Sequence, residues 1–133
     1  MPVIDYSHDG TEHEYEATTY TLMVYEQEFK SDMIKDVFGR IDLSGAADVL
    51  DSDGNLKYVD YTIDNWNAYP RALWAMLKTS EAIARYEGRT PERVEPFDKW
   101  CVFARNVDLS ELSRIVIDEC NRGLFHSGAA DSD

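Results

Sequence analysis

Trp66 to Tyr86 reads WNAYPRALWAMLKTSEAIARY. Ala72 through Leu77 is apolar without a break, whereas a helix at the edge of a domain leaves one face polar. At helical spacing Leu73, Leu77 and Ala84 share one stripe, Tyr69, Met76 and Ile83 the next, and Trp66 and Trp74 stand two turns apart on an adjoining face. This pattern predicts a central helix with neighbours on several sides, while Arg71, Lys78, Glu81 and Arg85 keep it compatible with water. A run of six apolar residues falls far short of the roughly 20 that cross a bilayer. Pro70 fits the first turn if Asn67 is the N-cap, because N–H groups there have no intrahelical partner to lose. A start at Asp64 would instead make Pro70 a kink.

Downstream, Glu87-Gly88-Arg89-Thr90-Pro91 is a break. Pro96 suits the first turn of a helix carrying Phe97, Trp100, Cys101 and Ala104 at helical spacing. Asp108 and Glu111 form a capping-box pattern that opens another helix, with Leu109, Leu112, Ile115, Val116 and Cys120 expected inside and Gly123 ending it. Leu124 is placed for the apolar contact that accompanies a glycine C-cap. The small polar residues 127–133 read as a disordered tail.

Upstream, Val3 to Ala17 reads as a hairpin with Asp9-Gly10 as a two-residue turn. That register sets Tyr6 opposite His13 and Ile4 opposite Tyr15 on a core-facing side. Val3 then faces Glu16 and Asp5 faces Glu14 on a side that must be wet, since like charges paired in a core would repel. Thr18 or Thr19 can cap a helix to about Phe29 with Leu22, Tyr25, Glu26 and Phe29 on one side. Ser31 is the expected cap of a second, shorter helix that buries Ile34, Val37 and Phe38 and ends at Gly39. Between Arg40 and Asp64 the pattern weakens, with a short helical turn at 46–50, an acidic turn at Asp51-Ser52-Asp53-Gly54-Asn55 and an extended stretch at 57–63.

The predicted fold is α+β and mainly α, an N-terminal β-hairpin packed against about four to five helices around a central helix at about 66–86. Residues 1–126 are expected to form a single globular domain. A hydrophobic share of 44% and 16 aromatics argue against disorder despite a net charge of −13. With 26 acidic residues against 13 basic ones, a general phosphate-binding surface is disfavoured, so no nucleic acid is expected as partner. Neither a membrane segment nor a secretory leader is visible, and a cytoplasmic protein is the expectation.

Catalytic chemistry is poorly supplied. His8, His13 and His126 are the candidate neutral-pH bases, and each reads better as a surface or half-buried residue. There is no Gly-x-Ser-x-Gly elbow and no glycine-rich phosphate loop, so no catalytic or cofactor-binding residue is assigned. The acidic turn fails as a calcium loop, because placing Gly54 at the sixth position puts Val49 at the first and Asp60 where a bidentate glutamate belongs. Cys101, Cys120 and His126 match no zinc-ligand spacing, and the two cysteines read as small buried thiols. No metal site is expected. Alternating Glu12, Glu14 and Glu16 read as a solvated face.

The order of elements resembles the small tail assembly chaperones of long-tailed bacteriophages and prophages. The likeness rests on VIDYSHDGTEHEYEAT, on Tyr25-Glu26-x-x-Phe29 with Asp32 following, on the Leu-Trp-centred ALWAML at 72–77, on Pro96-Phe97-x-x-Trp100, and on an amphipathic helix closing at Leu124-Phe125. It spans most of the chain, although the Asp-rich stretch from Gly45 to Asp60 is longer than the family pattern. The resemblance implies a non-enzymatic protein that binds the tape measure protein and/or tail tube subunits in the bacterial host cytoplasm and is absent from the mature virion. Such proteins often have a longer frameshifted form, and residues 127–133 would suit the shorter product. An acidic inhibitor or DNA mimic, with carboxylates imitating phosphates, is the alternative. A homo-oligomer is expected because the aromatics exceed what one small core readily hides. Phe103, pointing away from the centre of Trp100, and Phe125, just beyond a helix end, are the candidate interaction residues.

Overall fold

The computed structural model describes residues 2–38 and 66–125. The expected features at Gly39, 46–50, 51–55 and 57–63, together with His126 and the tail 127–133, lie outside the described residues. The architecture is mainly α with a small two-stranded hairpin, β1 (Val3–Ile4) and β2 (His13–Glu14), followed by helices α1 (Thr19–Phe29), α2 (Met33–Phe38), α3 (Ala68–Tyr86), α4 (Phe97–Phe103) and α5 (Leu109–Cys120). A π-helical turn at Asn121–Phe125 continues α5.

Helix α3 is the axis of the molecule. From Ala68 to Leu77 only Pro70 and Arg71 keep appreciable exposure, and Thr79, Ser80, Glu81 and Ala84 are buried farther along. β2, α1, α2, α4 and α5 all pack on it, as its uninterrupted apolar stretch requires. Pro70 is the third residue of the helix, inside the first turn. Asn67 precedes the helix without a side-chain cap bond, and the Trp66 carbonyl takes the Tyr69 N–H at 3.3 Å.

Local chemistry explains where α1 begins and ends. The Thr18 hydroxyl accepts from Tyr20 N at 3.0 Å, and Thr21 Oγ1 returns the favour by accepting Thr18 N at 2.9 Å. Both ends of a capping box are thus present. Lys30 adopts the left-handed conformation at φ 56° and stops the helix. Thr21 Oγ1 also meets Thr79 Oγ1 at 2.6 Å, a buried hydroxyl contact that fixes how α1 sits on α3. Fully buried Tyr25 donates to Asp36 Oδ2 at 2.8 Å, joining α1 to α2. Burial first, and then that hydrogen bond and the Asp36 charge, push its phenol pKa upward. The cap of α2 is Asp32 and not Ser31: Asp32 Oδ1 accepts Ile34 N at 2.9 Å and Lys35 N at 3.2 Å. An anionic acceptor at a helix N-terminus outcompetes a neutral hydroxyl one residue earlier.

The hairpin register differs from the sequence expectation. Val3 pairs with Glu14 and Ile4 with His13, so residues 5–12 form a longer loop centred on His8-Asp9, and Asp9-Gly10 is not a two-residue turn. Asp5 causes the slip. Its carboxylate accepts Gly10 N at 2.8 Å and Asp9 N at 3.2 Å, closing residues 5–10 into their own ring, with His8 and Gly10 at positive φ. These amides, Gly10 foremost, lower the Asp5 carboxyl pKa. A slip of two residues leaves every side chain on its expected face. Tyr6 therefore still stacks on His13, with ring centroids 4.4 Å apart.

At the other end, Asp108 caps α5 by accepting Ser110 N at 2.9 Å and Glu111 N at 3.3 Å. Buried positions run through Leu112, Val116, Ile117 and Cys120. Leu109 was expected among them but is exposed, because as the first residue of α5 it stands ahead of the stripe that meets α3. Gly123 does not end the helix in a left-handed cap. It lies within the π turn, where a side-chain Cβ would collide with the Ala17 carbonyl oxygen, so glycine is needed for close approach to the segment leading into α1. Glu119 locks the same junction: its buried carboxylate accepts Ala17 N at 3.0 Å and Arg122 Nε at 2.8 Å.

Candidate functional site

Helix α4 has seven residues and can turn only one face inward. Trp100 fills that face at 1% exposure, between Tyr6 at 5.2 Å and Phe97 at 6.1 Å between centroids, and Ala104 is buried beside it. Val102 and Phe103 consequently point outward, at 58% and 45% exposure, and Leu109 follows at 40% just past the turn into α5. Phe103 is thus on the surface. Phe125 is as well, at 47%, on the π turn with its ring edge-on to Phe38 at 5.8 Å. The two candidates stand on different elements. Val102 precedes Phe103 at the end of α4, and Leu109 opens α5 six positions after Phe103. Neither was singled out from the sequence, although Val102 follows directly from Trp100 being the inward residue of a short helix.

A second feature is a cleft of about 290 Å³ between the hairpin, the middle of α3 and the segment 89–94. Its edges are fastened by charge. His13 Nδ1 contacts Glu92 Oε2, and Arg89 reaches Glu14 at 3.8 Å. Buried Glu81 is held by Lys78 at 3.3 Å and Arg85 at 2.9 Å. Ser80 also lines the cleft, 7% exposed, and its Oγ has no hydrogen-bond partner among the described residues. In this setting His13 acts as a clasp between hairpin and loop, with its ring on Tyr6 and one nitrogen on a carboxylate. His8 sits exposed in the 5–10 loop.

Both cysteines are free. Cys120 is fully buried, which pushes its thiol pKa up to about 12, with the Glu119 charge adding to the effect. Cys101 is half-buried and raised for the same primary reason, with Asp98 contributing. Among the described residues no group of three His, Cys, Asp or Glu converges as metal ligands, and no helix is long and apolar enough to cross a membrane. No protein-family model, curated protein or solved structure matches the chain. The geometry therefore offers surface apolar side chains on a rigid helical frame, plus a polar cleft whose charges are largely paired with one another.

Proposed function

We propose that this chain is a non-enzymatic phage tail assembly chaperone that holds the tape measure protein and/or tail tube subunits in the host cytoplasm during tail assembly. The observation that carries the reading is the exposure of Val102, Phe103, Leu109 and Phe125 on a frame of hairpin, Leu-Trp helix and Pro-Phe-x-x-Trp helix, the elements on which the resemblance in sequence rests. Apolar side chains on a rigid surface suit transient cover of a long helical client, and a strongly acidic remainder keeps such a complex soluble. Use as a DNA mimic is less well supported. Asp5 and Asp108 are taken up in capping and loop closure, and Glu14, Glu81, Glu92 and Glu119 are each paired with a cation or histidine.

Co-expression with the long helical tape measure protein of the same genome tests the proposal. The client should be soluble and co-purify with this chain, and Phe103→Asp should reduce recovery of the complex without unfolding the chaperone. A client equally insoluble with and without the chain would overturn it.

A further inference from the structure

We propose that the corner where α4 turns into α5 is the surface through which two copies of this chain pair. Three apolar side chains, Val102, Phe103 and Leu109, are 58%, 45% and 40% exposed there within a single short stretch of sequence. Other exposed apolar residues are Val3 on the hairpin, Tyr20 and Met23 on α1, Trp66 just before α3, Tyr86 at its end and Phe125 on the π turn, none of them with two exposed apolar neighbours in so short a stretch. Charge decides among them. At a net −13 two copies repel one another over most of their surface.

Two described stretches escape that excess: around Tyr86 the chain carries Arg85, Glu87 and Arg89, a net +1 beside a single exposed ring, whereas the α4–α5 corner is neutral beside three exposed apolar side chains. From Phe97 to Arg114 the chain carries Asp98, Asp108 and Glu111 against Lys99, Arg105 and Arg114, three acids and three bases for a net charge of zero, and all six are exposed. The hairpin segment around Val3 carries Asp5, Asp9, Glu12, Glu14 and Glu16 with no Lys or Arg of its own, and Arg89, 3.8 Å from Glu14, offsets one of the five. Helix α1, between Thr19 and Phe29, has Glu26 and Glu28 and again no Lys or Arg. In a two-fold contact each patch meets its own copy. A single-sign patch then opposes like charges, whereas a mixed patch can set Arg105 or Arg114 of one copy against Asp98 or Glu111 of the other. Glu111 and Arg114 make no ion pair among the described residues and are free to do so. Size reinforces the argument. A stable interface covers about 800 Å² on each partner, more than three side chains supply, so the flanking charged positions must enter the contact and their balance matters.

The experiment is sedimentation velocity of the purified full chain over a concentration and salt series with no client present; the client of the proposed function would compete with the second copy for this corner, and loss of the dimer alone leaves the client-binding test standing. The parent should show a concentration-dependent dimer that strengthens as salt screens the net charge. Val102→Glu and Phe103→Ser should each weaken it about tenfold or more, while Tyr20→Ser leaves it unchanged. Val102 is the most exposed of the three, so its variant should keep the parent's melting curve and remain informative if Phe103→Ser does not. A monomer under every condition would overturn the proposal, as would a dimer that survives Val102→Glu or one lost in Tyr20→Ser.

Discussion

Replacing Trp74 by alanine tests whether the aromatic wall on one side of α3 is structural. The indole is 4% exposed and stands edge-on to Phe29 at 5.7 Å and to Phe97 at 5.8 Å. Its Nε1–H donates to the Glu95 carbonyl at 2.8 Å, tying α3 to the segment before α4, and the Lys78 ammonium lies 5.8 Å from its ring. Truncating a buried tryptophan costs about 3–5 kcal/mol. The two ring contacts account for about 0.5–1.5 kcal/mol each, and the hydrogen bond for about 1 kcal/mol. Glu95 is only half-buried, so water can replace the lost donor and the total should fall near 3–4 kcal/mol, a large part of the 5–15 typical of a domain. Trp74→Phe keeps an aromatic ring but loses the N–H, and should cost about 1–2 kcal/mol. Equilibrium urea unfolding followed by far-ultraviolet circular dichroism reads both, provided the denaturant slope is unchanged. A loss below about 1 kcal/mol for Trp74→Ala at constant slope would refute the packing argument.

Three further outcomes follow from named contacts. Gly123→Ala should destabilise by about 1–3 kcal/mol, because its methyl must displace the π turn from the Ala17 carbonyl; an unchanged urea midpoint would show the two segments are not in contact. A thiol reagent should modify Cys101 but not Cys120 in the native protein and both in denaturant, given burial and the thiol pKa pushed up to about 12 at Cys120; two rapidly reacting thiols in the native state would contradict this. The Asp5 carboxyl is held below its ordinary value of 3.8, chiefly by the Gly10 amide. Its contribution to loop closure is therefore present above that pH and lost as pH falls through the lower folded value. A Gly10 amide shift titrating at or above 3.8 would be evidence against the ring.

The helical core was legible because its signals are short-range. Six consecutive apolar residues from Ala72 to Leu77 already demand neighbours on every side, and α1, α2, α4 and α5 supply them. The hairpin shows the limit of the same reasoning. Alternation has a period of two, so Ile4, Tyr6, His13 and Tyr15 keep one face under either pairing, and the two registers differ in contacts that alternation does not encode, such as the Asp5 carboxylate on the Gly10 amide and the Tyr15 N–H on the Pro2 carbonyl. Gly123 shows another limit. A glycine near a helix end looks the same in sequence whether it is there for left-handed backbone or for close approach, and here the deciding atom, the Ala17 carbonyl oxygen, is 106 residues away by subtraction of 17 from 123.

Surface features were less legible than the core for a related reason. Phe103 could be placed outward because Trp100 fixes the inward direction of a seven-residue helix. Leu109 could not, because its exposure depends on where α5 begins relative to α3, which the Asp108 cap sets only to within a turn. The polar cleft was invisible in sequence, since His13 and Glu92 meet through folding across 79 positions. The same consideration separates structural acids from available ones. Glu81 and Glu119 are buried at 5% and 4% exposure: Glu81 is paired with Lys78 and Arg85 within α3, and Glu119, paired with Arg122, takes the Ala17 N–H and ties α5 to the segment before α1. The exposed hairpin and α1 carboxylates, by contrast, add to a repulsive field. A chain with acids in both roles cannot be read by its net charge alone. What controls association is the sign of the charge left around each exposed apolar residue, and around Val102, Phe103 and Leu109 that sign cancels.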